Sequence, residues 1–274
     1  MSVMSFGRAA AMAGLAALTL AACSDSSTEL ASPGEVAPNP GTQPPPAGGG
    51  GGGGTPPPSN GTCPDGTTLN TVGGSATCQI TAGAITSNLT LTQGNVYSLQ
   101  GSVTVGVDVG SDGSAADGNS VTLTIEPGVT IFGETLQSLL IIARGSRIVA
   151  NGTAADPIVF TSAQDVNLAA QFGQTQRAVF TGAASDDPNS NEWSGLIING
   201  RAPLNVATGE AEGEGDSGFY GGDQPTDDSG SLRYIQVKYA GNPITGTDEL
   251  NSIALQGVGS NTVVDFVQIH NGAD

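Results

Sequence analysis

Positive charge is scarce in this chain of 274 residues: 7 lysines and arginines stand against 25 acids, for a formal net charge of −18. That balance repels phosphate backbones, so nucleic acid is excluded as a partner and cations or neutral surfaces are left. Histidine occurs once, at His270, and cysteine three times, too few for a zinc site of the usual ligand set. No Ser-His-Asp arrangement avoids His270, and no glycine-rich phosphate loop occurs. Aromatic residues make up 4% of the chain, which does not furnish a thick core, and past the N-terminus no run of 18 apolar residues could cross a bilayer. What is abundant is glycine, 42 residues of it, as thin coils with many turns require.

Leu123-Thr124-Ile125-Glu126-Pro127-Gly128-Val129-Thr130-Ile131 and Leu140-Ile141-Ile142-Ala143-Arg144-Gly145-Ser146-Arg147-Ile148 share one pattern at an offset of 17, carrying Leu onto Leu, Ile onto Ile and Gly onto Gly. A fixed offset marks a stacked supersecondary unit. Val121, Leu123 and Ile125 alternate with Thr122 and Thr124, which selects strand over helix. The expectation is an all-β chain, a parallel β-helix in which each strand pairs with its copy 17 residues on. Asn88 to Leu91, Val96 to Leu99 and Val103 to Val105 read as its first coils.

Residues 1–22 read as an export signal, with Arg8 before an apolar stretch from Ala9 to Leu20. The box Leu20-Ala21-Ala22-Cys23 resembles that of bacterial lipoproteins, which implies cleavage after Ala22 and lipid attachment at Cys23. Ser24 rather than aspartate follows, and by the same resemblance this implies the outer membrane of a Gram-negative bacterium, at the cell surface or facing the periplasm. Residues 23–61, with Pro44-Pro45-Pro46, seven glycines from Gly48 to Gly54 and Pro56-Pro57-Pro58, form a disordered tether reaching roughly 30–40 Å. Cys63 and Cys78, in an exported chain, are expected to pair as a disulfide in an N-terminal cap with the first coils, residues 62–109. The remainder, 110–274, is the solenoid, and its last strand ends without a polar cap, so it reads as truncated at the C-terminus.

Several acids interrupt the coils. Asp108, Asp112, Asp117 and Asn119 lie about a loop that fits no EF-hand spacing and reads as a solvated turn. Ala163 to Glu192 is an excursion with a helical turn near Val166 to Phe172, closed at its base by Trp193. Between Glu210 and Asp228 seven carboxylates occur without a cation, as in a mobile loop open to weak Ca²⁺ binding; no other cofactor or metal ligand set is indicated.

A second repeat, offset by 32, sets Leu232 to Lys238 against Val264 to His270. If one coil separates the copies, Ile235/Val267 and Val237/Ile269 stack inside, while Tyr234/Phe266, Gln236/Gln268 and Lys238/His270 stack outside as a candidate glycan-binding face. Arg233 and Asp265 share a repeat position, and strict alternation turns both inward.

The phrases Pro-Gly-Val-Thr-Ile, Pro-Ile-Val-Phe-Thr-Ser, Trp-Ser-Gly-Leu-Ile-Ile-Asn-Gly and Ser-Leu-Arg-Tyr-Ile-Gln-Val-Lys-Tyr-Ala-Gly resemble a family of bacterial secreted or lipid-anchored right-handed β-helix proteins. The resemblance implies a right-handed parallel β-helix of the pectin-lyase-like fold over about residues 63–274. Fold does not give activity. A lyase would need Ca²⁺-binding aspartates and an Arg or Lys base on one strand face, which the sequence does not display. The expectation is therefore a non-catalytic binding or structural module with a glycan or surface-layer partner. A polysaccharide lyase or hydrolase and a self-assembling surface component are the alternatives.

Overall fold

The computed structural model describes residues 62–72, 74–172, 190–245 and 248–273. The expected signal segment, Cys23 and the expected tether lie outside them. The described residues form a parallel β-helix. Its coils begin after an antiparallel hairpin of β1 (Thr68–Val72) and the start of β2 (Ser75–Ile85).

Each coil has three sides. On the first lie the N-terminal part of β2, then that of β4 (Val96–Val105), then β6 (Thr130–Gly133) and β9 (Ile158–Ser162). The second side takes the C-terminal parts of β2 and β4, then β7 (Leu139–Ile142), β10 (Gly195–Asn199) and β16 (Ile253–Gln256). On the third are β3 (Leu89–Leu91), β5 (Thr122–Ile125), β8 (Arg147–Asn151) and the start of β13 (Gly230–Lys238). The second half of β13 returns to the first side, and β17 (Val263–His270) follows β13 around the same corner. All these pairings except the opening hairpin are parallel.

The alternation of Val121, Leu123 and Ile125 holds: all three are buried, with Thr122 and Thr124 turned outward. The pairing expected from the offset of 17 does not. Leu123 lies beside Ile148, and Ile131 beside Phe160, so the two copies are not stacked on one another. A coil has three sides and the 17-residue unit advances the chain by two, so the second copy begins on another side. Gly128 and Gly145 nonetheless turn alike, at φ 79° and 82°.

Inside runs one continuous apolar core, with Tyr97, Leu99, Leu123, Ile131, Leu140, Ile142, Phe160, Leu196, Ile198, Leu232 and Val237 all fully or nearly fully buried. At about 25 cal/mol per Å², such stacked columns supply the main favourable term of folding. On the outer surface of the first side, Val96 and Phe132 are covered by Val166 of α1 (Ala163–Phe172), with Val72 packed alongside. Residues 173–189 of the expected excursion lie outside the described residues. No helix among the described residues is long and apolar enough to cross a membrane.

The expected disulfide is present, joining Cys63 to the fully buried Cys78 across the hairpin. Closing a 15-residue interval is worth about 3 kcal/mol in the chain-entropy model. Thiol titration of the non-reduced protein is expected to find neither sulfur, and Cys63→Ser with Cys78→Ala to lower stability by about that amount.

Candidate functional site

Long connections leave the solenoid where the second side turns into the third: residues 106–121 between β4 and β5, and 200–229 between β10 and β13. The second carries an antiparallel ribbon, β11 (Glu210–Glu212) with β12 (Phe219–Gly221). Between the two connections, on the short turn from β7 to β8, stands Arg144. Its side chain is 4% exposed. The Asp108 carboxylate receives its Nε and Nη2 at 2.7 Å each, as a two-pronged pair, and Nη1 donates to Glu210 at 2.8 Å and to the Gly221 carbonyl at 3.1 Å. The Phe219 ring lies 6.0 Å from the guanidinium carbon. Burial, the largest single influence, disfavours the charge, but hydrogen bonds and attraction from both carboxylates outweigh it and the guanidinium titrates above its ordinary value.

The loop around Asp112 is the solvated turn expected, with residues 112–117 exposed: Asp112 accepts from the Ser114 hydroxyl and amide, which lowers its pKa, and Asn119 donates to the Thr86 carbonyl. One expectation is corrected here. The acids from Glu210 to Asp228 do have cations, supplied from elsewhere in the chain. Arg144 takes Glu210, Arg147 takes Asp228 at 2.7 Å, and Arg201 stands 3.8 Å from Asp223. Sequence reading missed them because Arg144 and Arg147 sit more than 60 positions away and meet the loop only through coil stacking.

The other candidate face lies where the third side turns into the first. β13 and β17 pair in the register that the offset of 32 implies, with Ile235 opposite Val267 and Val237 opposite Ile269. Tyr234 and Phe266 stack at 4.4 Å, nearly parallel. Both have left-handed backbones, φ 47° and 53°, where earlier coils place Gly94 and Gly128 at this corner. A bulky residue held there costs on the order of 1–3 kcal/mol, so the corner is strained.

The same corner corrects Arg233 and Asp265. The left-handed residue resets the alternation, so Leu232 and Ile235, three apart, both face inward and Arg233 faces out. Its guanidinium pairs with Asp265 at 3.0 Å, with 45% and 40% of the two side chains exposed. Gln236 and Gln268 continue the outer row. Lys238 does not join an open face: it is folded beneath α1 and bonds Asp165 at 2.7 Å, while His270 meets Tyr239 edge-on at 5.6 Å. Trp193 is buried, its indole donating to the Lys238 carbonyl, as a residue closing the base of the excursion would be; a sugar could not stack on it. Gly133 makes the room, since a Cβ there would lie 2.5 Å from that of Trp193.

A family model described as a pectate-lyase like beta helix domain matches residues 83–175 and 163–274. The chain belongs to that family. No curated protein and no solved structure matches the chain. Among the described residues no three acidic, histidine or cysteine side chains are grouped so as to hold a metal ion. The described arginines and lysine, Arg144, Arg147, Arg201, Arg233 and Lys238, are all ion-paired.

Proposed function

We propose that this chain is a lipid-anchored outer-membrane protein whose β-helix serves as a non-catalytic binding or structural module displayed at the cell surface. The observation that carries the non-catalytic part is the pairing of every described cation with a carboxylate. A lyase abstracts a proton with a base held free near its substrate, and a guanidinium or ammonium in an ion pair does not fill that role. The anchoring part rests on Leu20-Ala21-Ala22-Cys23 and the tether behind it.

For binding, the corner of Tyr234 and Phe266 is favoured. The rings cover one another face to face, so they offer a ligand their edges and the outer face of Phe266, which is 49% exposed. Gln236 and Gln268 add amide donors and acceptors beside them. A neutral glycan or surface-layer polymer suits this row better than an acidic one, given the net charge of −18.

Two experiments test the proposal. Cells producing the protein with Cys23→Ser are expected to accumulate uncleaved precursor that takes up no labelled palmitate; undiminished labelling refutes the anchor. The purified full chain is expected to form no unsaturated product absorbing at 235 nm from acidic polysaccharides with Ca²⁺, and to retain a neutral glycan in a binding screen, more weakly after Tyr234→Ala. Turnover abolished by Arg233→Ala would replace the module with a lyase.

A further inference from the structure

Ser217, at the end of the 3-10 turn Glu214–Asp216, is buried, as is Asn199 at the end of β10. Gln256, at the end of β16, is the register partner of Asn199 and shares its face of the sheet. Three side-chain oxygens of this group, Asn199 Oδ1, Ser217 Oγ and Gln256 Oε1, are buried without a hydrogen-bond partner. The Asn199 amide is oriented by its nitrogen, which donates to the Ser217 carbonyl at 2.7 Å, so its oxygen can only accept. Two of the oxygens flank one spot, since a Cβ built on Gly213 would lie 2.3 Å from Ser217 Oγ and 2.5 Å from Gln256 Oε1, and the Asn199 amide is held beside them by its bond to Ser217 and its register with Gln256.

Leaving three such acceptors unmet costs about 1–3 kcal/mol each, so something electropositive belongs among them. The turn is held from its other side as well, where Asp248 accepts from the Gly215 amide at 3.1 Å and Gly215 packs against Ile244 and Leu250. Glu212, Glu214 and Asp216 belong to the same stretch of chain, and none of them is taken by the ion pairs of Arg144, Arg147 and Arg201. Oxygen donors in an acidic stretch match the preferences of a hard cation.

We propose that Asn199 Oδ1, Ser217 Oγ and Gln256 Oε1 form a Ca²⁺ site that pins the acidic turn 213–218 to the ends of β10 and β16. The ion acts structurally, apart from any reaction, and the site stands whether or not the chain binds glycans. With neutral oxygens as the protein ligands, the affinity falls in the weak range, Kd on the order of 10⁻⁴–10⁻³ M.

The test titrates the full chain with CaCl₂ while following its thermal midpoint and, by calorimetry, its heat of binding. Ten millimolar Ca²⁺ is expected to raise the midpoint by a few degrees, where NaCl of equal ionic strength and MgCl₂ do not. Gln256→Leu and Ser217→Ala are expected to abolish that shift. Gln256→Glu, which places a carboxylate among the oxygens, is expected to tighten Ca²⁺ binding about tenfold and to destabilise the calcium-free protein. If Ca²⁺ neither shifts the midpoint nor releases heat, the oxygens surround an ordered water and the proposal fails. It fails equally if the shift survives Gln256→Leu and Gln256→Glu leaves the affinity unchanged, since the surface acids would then be binding the ion.

Discussion

Arg144→Met is expected to lower the stability of the β-helix by about 3 kcal/mol, and the thermal midpoint by roughly 6–12 °C, read from urea and thermal unfolding. Removing the guanidinium strands the Asp108 and Glu210 carboxylates against each other and frees the Gly221 carbonyl. Those carboxylates are 35% and 39% exposed, which lets water relieve part of the loss and keeps the estimate at the lower end for a buried pair. Arg144→Lys is expected to recover only a minor part, because an ammonium cannot present the two-pronged fork that Asp108 accepts. The loss should also be uneven: amide exchange in residues 106–121 and 209–222 should rise more than in β5 or β8. Because the guanidinium titrates above its ordinary value, it is charged at every pH at which such a protein is handled, and its own deprotonation would remove the contribution only above that range.

Gly230→Ala is expected to abolish folding. Gly230 begins β13 at φ 112°, and a Cβ there would stand 1.9 Å from the Ile148 carbonyl oxygen and 2.7–2.8 Å from the Ile148 backbone carbon and nitrogen. Ile148 belongs to the neighbouring strand β8, so relief would require pulling two coils apart. Gly209→Ala is the control. Its φ is 72°, also left-handed, yet nothing lies within 4 Å of the added carbon. The cost there is backbone conformation alone, about 1–2 kcal/mol. If Gly230→Ala yields soluble protein of unchanged thermal midpoint, coil spacing at this point is looser than described.

How far the sequence carries can be seen in the two repeats. Leu232 to Lys238 and Val264 to His270 fall on the same two sides of successive coils, so their offset is a true coil period and their register was legible. The 17-residue repeat reports a similar strand-turn-strand habit at two different corners, and it named the right fold through the wrong neighbours. Leu140 and Leu196 are coil neighbours 56 positions apart because an excursion intervenes, and no fixed period survives such insertions. Parity failed for Arg233 because a left-handed tyrosine is not announced by residue type, whereas the glycine turns were. The clasp of Arg144 was invisible for the same reason as the coil period: ion pairs between loops depend on which turns the stacking brings level. Two cysteines 15 apart, by contrast, needed only the expectation of export to be read as a bond.

That bond has a mechanical side. A pull arriving along the chain from its N-terminal end reaches Cys63 and crosses the two sulfurs to Cys78 without passing through β1 or the hairpin turn. The hairpin therefore carries no tension and cannot be unzipped first. The load enters β2 at Cys78, whose register partner in β4 is the buried Tyr97, and from there the strand runs on beside β4 as far as Ile85. Reduction of the disulfide would reroute the same force through the hairpin, whose antiparallel ladder from Thr68 to Gln79 can open one pair at a time.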